Sequence, residues 1–253
     1  MSGQMVPRRD TALMMSLSMV LTGVVIVAVN VQIYLARYLY GYYNPDAVSR
    51  RPATISRAIS DPQVGEPFAN WMLVCAPLLA IGVALLIISA LIELHRNGGA
   101  PTQKEWRILV LLCLVLIALQ VFAAIGMVML SQFRFPNDNK LHMKGSYLFF
   151  FSQAFVVMFG EFVSRRFGKL PQDRTLLSFG MARFRKFYVW VPILLGVLYL
   201  SLFFAKDFDL GAVNPPLYIL YTTTEPLLLT AYLGYVLTYH ADMGAAVRRY
   251  LRA

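Results

Sequence analysis

The chain has 253 residues, of which 58% are hydrophobic and only 14% charged, where an ordinary soluble domain is about 25% charged. With a mean hydropathy of +0.59, this composition excludes a water-soluble domain and points to an integral membrane protein. The net charge of +10 does not indicate nucleic acid: most basic residues flank apolar segments, no soluble domain remains to hold a groove, and anionic lipid headgroups are the expected counter-charge.

Taken in order, uncharged stretches begin at residues 11, 67, 108, 145, 187 and 210. Each reaches, or with one interruption reaches, the roughly 20 residues that cross ~30 Å of hydrocarbon. They predict helices at approximately 11–38, 68–94, 107–131, 143–164, 187–205 and 215–240. The fold class expected is all-α, a polytopic six-helix bundle formed by one domain over residues 1–253. Arg8 and Arg9 before the first stretch resemble the start of a secretory signal, but its 26 uncharged residues exceed the roughly 7 to 15 of a signal h-region. It is expected to remain as the first span.

Lys and Arg concentrate in the tails, around Arg96 to Arg107, and from Arg165 to Lys186. Positive loops stay on the cytoplasmic face, so both termini are expected there. The long loop over residues 41–67, with three arginines and four prolines, then folds over the outer mouth of the bundle. The basic loop 165–186 interleaves Leu176, Leu177, Phe179 and Phe184 with cations, a mix suited to a short interfacial helix. Arg165, Arg166, Arg183 and Arg185 are its candidate contacts to anionic lipid on the cytoplasmic side. Cys75 and Cys113 fall at different depths on separate helices and are not expected to pair.

The residue that stands out is Glu225, inside the last apolar stretch and followed by Pro226. An ionisable group at that depth marks a functional site by default and must face the bundle interior or a wet cavity. The structural alternative is a carboxyl that fixes the bundle through hydrogen bonds, for which Thr222, Thr223 and Thr224 are candidate donors. His142 lies on the outer side, whereas His95 and His240 lie at inner helix ends, so the three histidines cannot share one ion. An inner pair with Glu93 or Asp242 is outweighed by ordinary interfacial histidines, and neither metal nor cofactor is expected. No nucleophile elbow, zinc-protease helix, P-loop or Rossmann glycine pattern is present. A serine of the outer loop, Ser56 or Ser60, with His142 or Asp61 as its base, is the one nucleophilic arrangement that sidedness permits.

Three stretches stand in order along the chain: RPATISRAISDP at 51–62, HMKGSYLFFF at 142–151, and Glu225 followed thirteen residues later by Thr238, then Tyr239 and Asp242. Together they resemble the Frag/DRAM/Sfk family of six-helix membrane proteins, which includes DRAM-like autophagy modulators and relatives of a GPI-anchor lipid-remodelling protein. Ser146 stands where the family usually has alanine, and Pro226 where it usually has tryptophan. The resemblance implies the same six-helix topology over nearly the whole chain. Functionally it spans lipid remodelling, autophagy regulation and lipid organisation, with no shared chemistry to carry over.

The leading expectation is a non-enzymatic protein that binds or organises membrane lipid through an outward-facing polar pocket built from Glu225, His142, Ser56, Ser60, Asp61 and Arg57. Thr238, Tyr239 and Asp242 form a separate motif at the inner end. The alternatives are a lipid-remodelling enzyme using the same pocket and a small transporter or proton-coupled channel titrating Glu225. Arginine far outnumbers lysine, suggesting a GC-rich genome and a bacterial inner membrane.

Overall fold

Along α1 (Arg9–Tyr43), Leu13, Leu17, Val20, Val24, Val27 and Val31 are exposed, while Met15, Ser18, Thr22, Val25, Val29 and Ile33 are buried. Both faces recur every three or four residues, so the helix packs on one side and presents an unbroken aliphatic stripe on the other. An exposed stripe of this length is costly in water and favourable in lipid. In the computed structural model, which describes residues 5–171 and 173–253, the described chain is helical with no strand. The first four residues of the expected inner tail lie outside the described residues.

After α1 come two short helices, α2 (Pro45–Arg50) and α3 (Ile55–Ala58), then α4 (Pro62–Arg96), α5 (Gln103–Gln132) and α6 (Asn139–Gly168). α7 (Phe179–Tyr188) runs with one intervening residue into α8 (Trp190–Ala205), followed by α9 (Asn214–Leu237) and α10 (His240–Arg252). Five segments are long and apolar enough to cross a membrane: α1, α4, α5, α6 and α7–α8 taken together. The sixth expected span corresponds to α9, which carries Glu225 and Pro226 and is not among those five.

Local chemistry sets several helix starts. Thr54, Asp61, Thr102 and Ser178 each accept a backbone N–H of the first turn, of Arg57, Gln63, Glu105 and Met181 respectively. Packing between the long helices relies on close backbone approach, because lipid offers no hydrophobic gain for helix association. A Cβ on Gly126 of α5 would strike the backbone of Phe149 and Gly145, and one on Gly145 of α6 would strike Leu130. α1 meets α4 similarly, with Ser18 donating to the Gly82 carbonyl at 2.6 Å. α9 packs on α8 and α1, and α10 continues along α1.

Two ends of the bundle differ in what closes them. At one, α2 and α3 pack on α1, with α3 also against α9. At the other, Arg96 grips Asp10 through two bonds of 3.0 and 2.7 Å. Beside that pair the buried Glu93 accepts the Arg8 N–H at 2.9 Å and the Thr11 hydroxyl.

Candidate functional site

The site forms where the strap containing α3 crosses α6 and α9. Its backbone is held from three directions. Arg37 of α1 donates to the Ala53 carbonyl at 3.1 Å, the Thr54 hydroxyl accepts the Arg57 N–H at 3.0 Å, and Glu225 of α9 accepts the Ile55 N–H at 2.7 Å. Glu225 is only 3% exposed. The neighbouring threonines turn elsewhere: Thr222 and Thr223 donate to the Ile219 carbonyl and Thr224 to that of Leu220. The expected local donors are therefore replaced by a backbone group from the strap. Hydroxyls one turn from a free helical carbonyl are satisfied there first.

One residue beyond Ile55, the Ser56 hydroxyl lies 3.0 Å from His142 Nε2. His142, in the first turn of α6, is 1% exposed. Its other nitrogen, Nδ1, is 2.8 Å from the Leu130 carbonyl oxygen and 2.9 Å from that of Phe133. Phe135 covers the ring at 4.6 Å between centroids.

Ser60 donates to the Arg57 carbonyl at 2.7 Å. Asp61 departs from the expected pocket: its carboxylate caps α4 through Gln63 and accepts from Asn44 at 2.8 Å. The cap at the proline-led start of α4 and the Asn44 bond occupy that side chain, and it does not line the cavity that His142 lines. Arg57 stays at the site, donating to the Tyr40 hydroxyl at 3.3 Å, and that bond raises its pKa above the ordinary arginine value.

These groups open onto a cavity of about 750 Å³ bounded by the strap, α6, α8 and α9. Arg51, Arg57, Lys206, Ser56, Ser60 and His142 supply its polar wall, and Phe150, Met158, Val197, Leu200 and Leu228 belong to its apolar remainder. Glu225 is not on the wall but directly behind it. Arg51, Tyr199, Lys206 and Tyr218 were not legible as site residues. Arg51 lies over the Tyr218 ring at 3.4 Å, and Lys206 pairs with Asp207 at 2.7 Å.

At the opposite end, the residues of the third motif share one network. Asp242 pairs with Arg185 at 2.7 Å and accepts the Ser178 N–H at 3.0 Å. Arg185 also donates to Ser164 and to the Thr238 carbonyl, and its guanidinium stacks 4.0 Å from the Tyr239 ring. This corrects the expectation that Arg185 faces lipid headgroups: it is fully buried. A carboxylate, a hydroxyl, a carbonyl and an aromatic face together satisfy the charge inside. Arg165, Arg166 and Arg183 are exposed, with Arg165 bonded to Glu161 at 2.6 Å. His240 meets Thr22 at 2.8 Å and His95 lies against Trp106. Among the described residues no three His, Cys, Asp or Glu side chains converge. Cys75 and Cys113 are both free and buried.

Comparison with known proteins gives one assignment. The sequence matches the Frag1/DRAM/Sfk1/Cwh43P N-terminal domain over residues 11–246. No curated protein and no solved structure gives a significant match. The chain belongs to the Frag1/DRAM/Sfk1/Cwh43P N-terminal domain family and is an integral, multi-pass membrane protein.

Proposed function

We propose that this family member binds a membrane glycerophospholipid in the cavity between α6, α8 and α9, with six spans, both termini in the cytoplasm of a bacterial cell and the strap facing outward. The observation that carries the reading is the amphiphilic division of a cavity of about 750 Å³. Cations and hydroxyls of the strap stand on its wall together with the Lys206–Asp207 pair, and aliphatic and aromatic side chains make up most of the rest. A phosphate headgroup suits Arg51 and Arg57, because guanidinium forks bind oxyanions through paired donors. Acyl carbon suits the apolar remainder, and a volume of this order holds a substantial part of one lipid.

The test is native mass spectrometry of gently purified protein. Wild type is expected to retain phospholipid. Gly196 on α8 lines the cavity, and a Cβ there would make only ordinary contacts with Tyr232 and Leu228, so Gly196→Phe is expected to fill the space and expel the lipid. Arg51→Gln with Arg57→Gln is expected to lower retention of anionic species most. A folded wild type that carries no lipid, or retention unchanged in both variants, refutes the pocket.

A further inference from the structure

We infer that Ser56 and His142 form a nucleophile and general-base pair that takes an acyl chain from an ester-linked lipid in this cavity, an inference that rests on the lipid-pocket reading above. The tautomer of His142 follows from its neighbours. The two oxygens facing Nδ1, of Leu130 and Phe133, are carbonyls and can only accept. Nδ1 therefore carries the ring proton, and Nε2 of the neutral imidazole presents its lone pair to Ser56 at 3.0 Å. The Ser56 hydroxyl is left to donate to it.

This separates Ser56 from the other helical hydroxyls around it. Ser60, Ser146, Thr222 and Thr223 each spend their proton on a backbone carbonyl three or four residues back. Ser56 alone among these points its proton at a base, and both partners lie on the wall of the large cavity. The strap is immobilised on either side of Ser56 by Glu225, Arg37 and the Thr54 cap. Such restraint is what an attack geometry needs before substrate arrives. The arrangement is a base oriented by a further acceptor and directed at a nucleophile, here with two carbonyls in place of a carboxylate.

The chemistry balances without an external oxidant or metal. Ser56 Oγ attacks the ester carbonyl carbon as His142 Nε2 takes its proton. The C–O bond to the lipid alcohol then breaks, and the imidazolium returns the proton to the departing oxygen, leaving a lysolipid and an acyl ester on Ser56. A second hydroxyl, of water or of another lipid, attacks that ester, gives its proton to Nε2, and releases Ser56 with the proton back on Oγ.

The full-length protein is reconstituted in vesicles of phosphatidylethanolamine and phosphatidylglycerol and treated with a long-chain alkyl fluorophosphonate. Labelled peptides are mapped, and lysophospholipid release is followed for ester-linked and ether-linked vesicles. The expected result is a label on Ser56 and not Ser60, with lysophospholipid released only from ester-linked vesicles. His142→Gln is expected to slow labelling about 100-fold or more, as removal of a general base does. Either an unlabelled Ser56 or no release from ester vesicles overturns the inference, and both are read on wild type, so a variant that fails to fold does not decide the matter. Wild type that retains lipid without labelling leaves the pocket reading intact, whereas wild type that retains none removes the pocket and this inference together.

Discussion

Glu225 on α9 accepts the backbone N–H of Ile55 at 2.7 Å, so a carboxyl group within one helix fixes the position of a strap about 170 residues earlier in the chain. The carboxyl group is buried, and the next strap residue is the one that meets His142. Glu225 therefore acts on the cavity through the strap it holds and not as part of the wall.

Replacing Glu225 by alanine leaves the Ile55 N–H buried without a partner, a loss of about 1–3 kcal/mol. Glutamine keeps an oxygen for that bond. Thermal unfolding in detergent is expected to fall clearly in Glu225→Ala and little in Glu225→Gln. The fluorophosphonate labelling rate of Ser56 should follow the same order, with glutamine rescuing what alanine loses. Equal behaviour of the two variants would mean that the bond does not hold the strap.

The Arg185–Asp242 pair is buried on both sides, and removal of one member leaves an uncompensated charge. Asp242→Leu or Arg185→Met alone is expected to destabilise by about 3–5 kcal/mol, whereas the two substitutions together recover much of the loss. Thermal melts of the four proteins form the cycle. Additive effects would contradict direct pairing.

Close packing of α5 on α6 at Gly126 and Gly145 leaves no volume for a side chain. Gly145→Val is expected to force the helices apart and cost about 1–3 kcal/mol or more. Gly180, where an added Cβ meets nothing within 4 Å, serves as the control. Gly180→Ala should cost nothing in the same melt and can stabilise α7 slightly, since alanine is the better helix former.

Arg165, Arg166 and Arg183 are exposed near the end that the sequence assigns to the cytoplasm. Their joint replacement by glutamine is expected to weaken association with phosphatidylglycerol, by about 1 kcal/mol per residue near the surface, with the difference shrinking at high salt. Native mass spectrometry across a salt series reads it. No change would remove the anionic-lipid surface from the proposal.

Topology is open to labelling, because both native cysteines are buried. With Cys75 and Cys113 changed to serine, Ser49→Cys in α2 is expected to react with an impermeant maleimide in intact cells, and a cysteine at Lys104 only after lysis. The reverse pattern would invert the orientation and turn the cavity inward.

What the sequence determined by itself follows from the solvent. Lipid imposes long apolar segments and taxes every buried charge, so the membrane class, the helical character, the family motifs and the inward fate of Glu225 could be read from residue type and spacing. His142 and Ser56 could be named as a possible pair because both were assigned to one side. Their 3.0 Å contact, the Ile55 donor to Glu225, the bond of Asp61 to Asn44 and the burial of Arg185 against Asp242 were decided only by the tertiary structure. Those outcomes depend on which helices become neighbours and on which partner satisfies each polar group at least cost. Such a choice is made among residues far apart in the chain, and local periodicity carries no record of it.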